Sequence, residues 1–414
     1  MTTYKFLLLL PLLLLTGCQN NKSNDSLSHV YFYNSTLDSR LVNCVNYQKY
    51  CSVEDLPFIA MQTSAPSSED IMQRVIVSHD WMGERFEQLL ARLPSEIYTL
   101  LGSVTAIVIA DNIRPSFYWT GSGAIYLDPA DLWLTNKEKA SVKKDADYRQ
   151  NYGSLLQYNF FHRFVLNNEA AYDYYSLSGT EERNLGDITI PMASLLFHEL
   201  AHANDYVPQN KMDLIQKQQK TWQAINSLSD YQTQNRFAAE YPLQSTTLLD
   251  HAKIVYKGAT ANDQQQQQSG EILGEMMEQE GANHLYAYST HAEDVAMLFQ
   301  ATMVKKSYNI DMDSAFVENP KGDNLNCSDY NVNWGMRNKI AESNTQIRAQ
   351  FVAESLLPNT NFNAFFNDLT DFQFFPEQTD WCDISLSSST TRNKASQNTN
   401  KVIIHPQHGA IFSH

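Results

Sequence analysis

Apolar and polar positions divide the chain before any motif is considered. Phe6 to Leu15 is apolar apart from Pro11, and the chain turns polar from Gln19 to about residue 28. Ten helical residues span about 15 Å, half a bilayer core, so the run suits an export signal flanked by Lys5 and is too short to cross a membrane. Ser78 to Leu93 carries apolar residues at helical spacing, with Ser78 as cap, and Pro94 can open a further helix. Val104 to Ala110 is rich in β-branched residues and predicts a buried strand; Gly123 to Leu127 predicts a second. The aromatic and leucine-rich stretch Tyr152 to Leu166 reads as a core helix. Ile188 to Tyr206 predicts another, capped by Thr189 with Pro191 in its first turn. A long polar helical region then leads to the glutamine run Gln264 to Gln268, read as a surface loop. Helical spacing returns at Glu271 to Glu280 and at His291 to Val304. The expected fold is α+β, mostly helical with a small mixed β-sheet. Its expected divisions are a signal over 1–17, a tether over 18–28, one domain over 29–384 and a peripheral tail over 385–414.

Length and charge narrow this picture. A chain of 414 residues can bury a large core. A net charge of -16 argues against nucleic acid as a partner, because phosphate binding needs clustered Lys and Arg. The apolar run ends in Leu15-Thr16-Gly17-Cys18, which resembles the lipobox of bacterial lipoproteins. That resemblance implies cleavage before Cys18, lipidation of its thiol and a membrane anchor; Gln19 in the next position implies the outer membrane. Cys44, Cys51, Cys327 and Cys382 remain, an even number in an exported chain. Proximity pairs Cys44 with Cys51 and Cys327 with Cys382, and other connectivities stay open.

The chemistry lies in His198-Glu199-Leu200-Ala201-His202. Two histidines four apart on a helix share one face, so both imidazoles can reach one ion. Glu199 is turned about 100° from His198 and can act on a water beside that ion without ligating it. Leu196, Leu200 and Ala203 give the helix a separate apolar side. The pattern is that of zincin metallopeptidases, which implies Zn2+ with Glu199 as general base. Asp205 and Pro208 stand where metzincins carry Gly and a third His or Asp, so that branch does not fit.

The third ligand must come from elsewhere. Tyr286-Ala-Tyr-Ser-Thr-His-Ala-Glu293 resembles the third-ligand region of gluzincins similar to anthrax lethal factor. By that resemblance Glu293 would ligate the metal and Tyr286 would donate to the oxyanion, with Tyr288 as runner-up. Thr290 to Glu293 also fits a capping box, and Glu271 and Glu275 compete for the ligand role. Asp205 would orient a histidine from behind. His284 and His291 read as surface residues, and His405 and His408 as inert ones in the tail. The resemblance covers about 30 residues, and 91 positions separate His202 from Glu293, more than that group normally has. The expected function is hydrolysis of a peptide or protein substrate at the cell envelope. A zinc amidase acting on cell-wall peptides and an inactive binding lipoprotein of the same fold are the alternatives. Either strand, Val104 to Ala110 or Gly123 to Leu127, could serve as the edge along which an extended peptide aligns.

Overall fold

Short β-branched strands gather into a first sheet early in the chain. Its strands are β1 (Tyr31–Phe32), β2 (Val75–Val77), β3 (Ile107–Ile109), β4 (Phe117–Trp119) and β5 (Ala124–Leu127), in the order β1-β2-β3-β5-β4. β2, β3 and β5 run parallel, and β1 and β4 close the edges antiparallel. Alternation sends Val75, Val77, Ile107, Ile109, Ile125 and Leu127 into the main core. Ile76, Val108 and Tyr126 face a smaller cluster that includes Cys44 and Val45. The Cys44–Cys51 disulfide is formed there. Cys382 is also disulfide-bonded; Cys327 lies outside the described residues.

The computed structural model describes residue 27 and residues 29–384, apart from 47–48, 144–148, 150, 323–324, 326–328 and 370. Cys18, the signal run, nearly all of the tether, and the tail with His405 and His408 therefore lie outside the described residues.

The second sheet is antiparallel throughout. β6 (Tyr158–Leu166), β7 (Glu169–Ala170), β8 (Asp311–Glu318), β9 (Val332–Arg337) and β10 (Gln373–Phe374) are ordered β10-β9-β8-β6-β7. This corrects the helix expected over Tyr152 to Leu166. Tyr158 and Phe160 bury one face of β6 against one cluster, and Phe161 buries the other against Tyr330, Phe375 and Trp381. A strand covered on both faces loses its polar alternation and reads as a continuous apolar run.

Helices make up about 47% of the structure, so the fold is α+β with two small sheets. In chain order they are α1 (Ser68–Met72), α2 (Asp80–Leu90), α3 (Ser95–Leu100), α4 (Asn136–Lys139), α5 (Leu185–Tyr206), α6 (Thr221–Asn226) and α7 (Thr233–Glu240). Then follow α8 (Thr246–Lys257), α9 (Asp263–Gln266), α10 (Gly270–Glu280), α11 (His291–Tyr308), α12 (Ser343–Leu356) and α13 (Asn363–Asp368). The glutamine run thus lies partly in a short helix. α2 starts from His79, because the Ser78 hydroxyl is taken by the backbone N–H of Asp111. The region after α5 is broken into 3-10 turns and short helices, where one long helical stretch was expected.

α5 and α11 pack together at the centre and carry His198, His202 and Glu293. α5 begins earlier than its apolar spacing suggests, because Asn184 and Asp187 form a capping box around Leu185. Thr189 lies inside the helix and donates its hydroxyl to the Leu185 carbonyl at 2.7 Å, so it is no cap. Pro191 also lies within the helix, where it removes one backbone donor. Leu196, Leu200 and Ala203 reach the main core as expected, alongside Val295, Leu298 and Phe299 from α11.

Candidate metal centre

Helical spacing stacks His198 over His202, and their ring centroids lie 5.0 Å apart. Glu293 enters from the first turn of α11. Its N–H is capped by the Thr290 hydroxyl at 3.1 Å, but its carboxylate turns away from the helix start. Glu293 Oε2 lies 3.2 Å from His198 Nε2 and 3.5 Å from His202 Nε2. The three side chains are buried, and they form the one group of three or more possible ligands found together among the described residues. Glu271 and Glu275 are exposed on α10 and take no part in it.

The spacing suits a cation. Ligand atoms 2.0–2.2 Å from a tetrahedral centre lie about 3.3–3.6 Å from each other; Glu293 keeps 3.5 Å to His202 and lies just short of that range, at 3.2 Å, from His198. Donor chemistry agrees, since two imidazoles and a carboxylate are what zinc takes in open sites. Burial pushes the His198 pKa down despite Glu293 and Gln300, which favours the neutral ring that ligation needs. At His202 burial also opposes charge, but Glu293, Glu199 and Asp205 outweigh it and raise the pKa. Carboxylates thus surround the pair and call for positive charge.

Glu199 sits beside this group, fully buried. Neither carboxylate oxygen makes a well-formed hydrogen bond among the described residues. The Tyr118 backbone N–H on β4 is near enough to draw its pKa down a little. Burial dominates and lifts the Glu199 pKa to about 8, with His202 pulling against it. A carboxyl group left bare in the interior costs stability and is not there for packing.

Tyr286 stands in the 3-10 turn Leu285–Tyr288 and donates its phenol to Glu293 Oε1 at 3.2 Å. Its ring lies nearly parallel to His198, with centroids 6.5 Å apart. Burial and the nearby Glu293 hold its pKa well above 10. Tyr288 is committed elsewhere, donating to Glu280 Oε2 at 2.9 Å. Asp205 is buried next to the cluster, and its Oδ1 accepts the Gln234 backbone N–H at 2.8 Å. It therefore ties α5 to the start of α7, and its influence on His202 is that of a nearby charge. Burial raises the Asp205 pKa to about 7.

Two neighbours of the cluster are not marked by any motif. Gln300, two turns along α11 from Glu293, donates Nε2 to Ser194 Oγ at 2.9 Å and lies near enough to His198 to raise its pKa a little. His284, expected at the surface, is buried behind Tyr286; His291 is exposed as expected. The edge strand beside α5 is β4. β3 is interior to the sheet, and β5 is covered by β4 through their hairpin, so neither strand expected at the edge is there. Only tertiary pairing decides which strand lies outermost. Comparison with family models, curated proteins and solved structures finds no match to this chain.

Proposed function

We propose that this chain is a zinc-dependent metallopeptidase of the bacterial cell envelope, anchored through a lipid on Cys18. The observation that supports it most is the convergence of His198 and His202 Nε2 on one oxygen of Glu293, beside a bare and buried Glu199. His198, His202 and Glu293 would hold the ion. Zinc bound there would supply a Lewis acid for a substrate carbonyl and ease deprotonation of the attacking water.

The chain's own residues carry the remaining steps. Glu199 accepts the proton of the attacking water and delivers it to the leaving amine, a role suited to a carboxyl whose pKa burial has lifted towards neutrality. Tyr286 is in reach to donate its phenol to the developing oxyanion once its bond to Glu293 yields. β4 offers an extended peptide an outer edge next to Glu199, where backbone pairing would orient the scissile bond. The Cys44–Cys51 disulfide suits an oxidising compartment. No helix among the described residues is long and apolar enough to cross a membrane, so attachment would rest on the lipid.

The test is metal content and turnover of the form starting after Cys18, on casein and on peptidoglycan peptides. About one zinc per chain, kept in Glu199→Gln while casein cleavage falls by several orders of magnitude, is the expected result. Cleavage confined to peptidoglycan peptides would favour the amidase. Zinc without turnover on either substrate would favour the binding lipoprotein, and a wild type with no zinc would overturn the metal site itself.

A further inference from the structure

His162 and His284 lie outside the metal cluster and have no part in the reaction proposed above. We propose that they form a strut that holds Tyr286 against Glu293 and so fixes the orientation of the third metal ligand; this rests on the metal-site reading. His284 immediately precedes the turn that carries Tyr286, and its Nδ1 accepts the Tyr286 backbone N–H at 2.9 Å. A backbone N–H can only donate, so Nδ1 is the bare nitrogen and Nε2 carries the proton of the neutral ring. That Nε2 lies 3.0 Å from His162 Nδ1. His162 Nδ1 must therefore accept, which leaves its proton on Nε2. One backbone donor thus sets the tautomers of both rings.

The strut has a firm foundation at each end. His162 belongs to β6 and faces Ser314 of β8 in the middle of the second sheet's longest ladder. Phe160 packs edge-on to His284 with centroids 4.6 Å apart, and Tyr256 packs edge-on to Tyr286 at 4.8 Å. Burial, with His162 and His198 nearby, keeps His284 neutral by pushing its pKa well below 6.5. At the far end the Tyr286 phenol engages Glu293 Oε1, and Oε2 is the oxygen turned to the two imidazoles. A carboxylate held by one oxygen presents a single donor in a set direction. Partners behind a ligand typically change metal affinity about 10–100-fold when removed.

A double-mutant cycle read by zinc affinity tests this without reference to turnover. Zinc dissociation constants would be measured by competition with a chromophoric chelator for the wild type, Tyr286→Phe, His284→Leu, His284→Asn and the double variant His284→Leu/Tyr286→Phe. Tyr286→Phe should bind zinc about tenfold more weakly, and His284→Leu should match it. His284→Asn keeps an acceptor for the Tyr286 N–H and should stay within about threefold of the wild type. The double variant should bind no more weakly than Tyr286→Phe alone, because both changes act through one contact. Losses that multiply in the double variant, or an unchanged affinity in His284→Leu, would overturn the strut. Should His284→Leu not fold, His162→Phe keeps the cap while removing the acceptor behind it, and the same cycle with Tyr286→Phe decides. A wild type without zinc affinity would sink the metal-site reading before any variant is compared, and the strut with it.

Discussion

Glu199 should destabilise the metal-free protein, and its replacement by glutamine should reveal by how much. Its carboxyl is fully buried without a well-formed hydrogen bond, and burial raises its pKa from 4.5 to about 8. Between those values the folded state holds a proton that the unfolded state has released. Stability therefore falls as pH rises through that window, by about 1.4 kcal/mol per pH unit. For the metal-free wild type the penalty is about 0.8 kcal/mol at pH 5 and about 3.4 kcal/mol at pH 7. Glu199→Gln carries no such penalty, so its advantage over the wild type should widen by about 2.5 kcal/mol between the two pH values. Urea unfolding of both proteins after chelator dialysis, at pH 5 and pH 7, measures the difference. An advantage that stays constant with pH, or a variant less stable than the wild type at pH 7, would refute the account of Glu199 as a strained, bare carboxyl.

Other residues give further tests. Gln300→Met keeps the bulk of the side chain but removes the polar amide beside His198, so zinc affinity should drop about tenfold, whereas Gln300→Glu should retain most of it; chelator competition reads both. His251 is buried against the Tyr158 hydroxyl at 2.8 Å, and burial lowers its pKa from 6.5 to about 4. Its contribution is present in full above pH 6.5 and is lost as pH falls through 4, on the order of 2–3 kcal/mol. Denaturation of His251→Gln between pH 7 and pH 4 should show a correspondingly shallower loss of stability. Asp313 is buried between Arg163 and Arg337, accepting from their Nε atoms at 3.0 and 2.7 Å. Asp313→Ala would leave both cations unmatched and should cost about 3–5 kcal/mol by chemical unfolding.

The helix that carries the two histidines is legible because its evidence is local. The pentad, its apolar flank and the capping residues all lie within two dozen positions, and helical spacing alone places His198 above His202. The signal was blurred only at the start, where Thr189 looked like a cap and the Asn184–Asp187 box prevailed. The second sheet is not legible, because Tyr158 to Leu166 is covered on both faces, so its apolar residues do not alternate with polar ones, and β8 lies about 150 residues further on. Glu293 was reached through resemblance. Nothing in Thr290 to Glu293 alone shows that its carboxylate joins His198 and His202; that follows from the packing of α11 on α5. Gln300, His162 and His284 lie further out of reach still, since each acts through a partner more than 100 positions away. The edge role of β4 likewise depends on which strand a hairpin leaves outermost.

The arrangement of these parts explains why the site can afford its own instability. Glu199, Asp205 and Glu293 place three carboxyl groups in the interior around two imidazoles, and burial opposes ionisation of the first two. Such a group would relax or take up solvent if it stood on loops. It stands instead on two long helices locked by Leu196, Leu200, Leu298 and Phe299. The Glu293 end is held further by Asp294, which receives Arg348 Nη2 at 2.5 Å while Nη1 of the same arginine donates to the Gly281 carbonyl at 2.9 Å. Strain at the centre is thus borne by packing around it, and binding of a cation to the folded state alone would offset it by mass action. The same residues that make the metal-free protein less stable are those that would make the metal-bound one reactive. A helix with two idle histidines would need neither the bare glutamate nor the buried brace behind it.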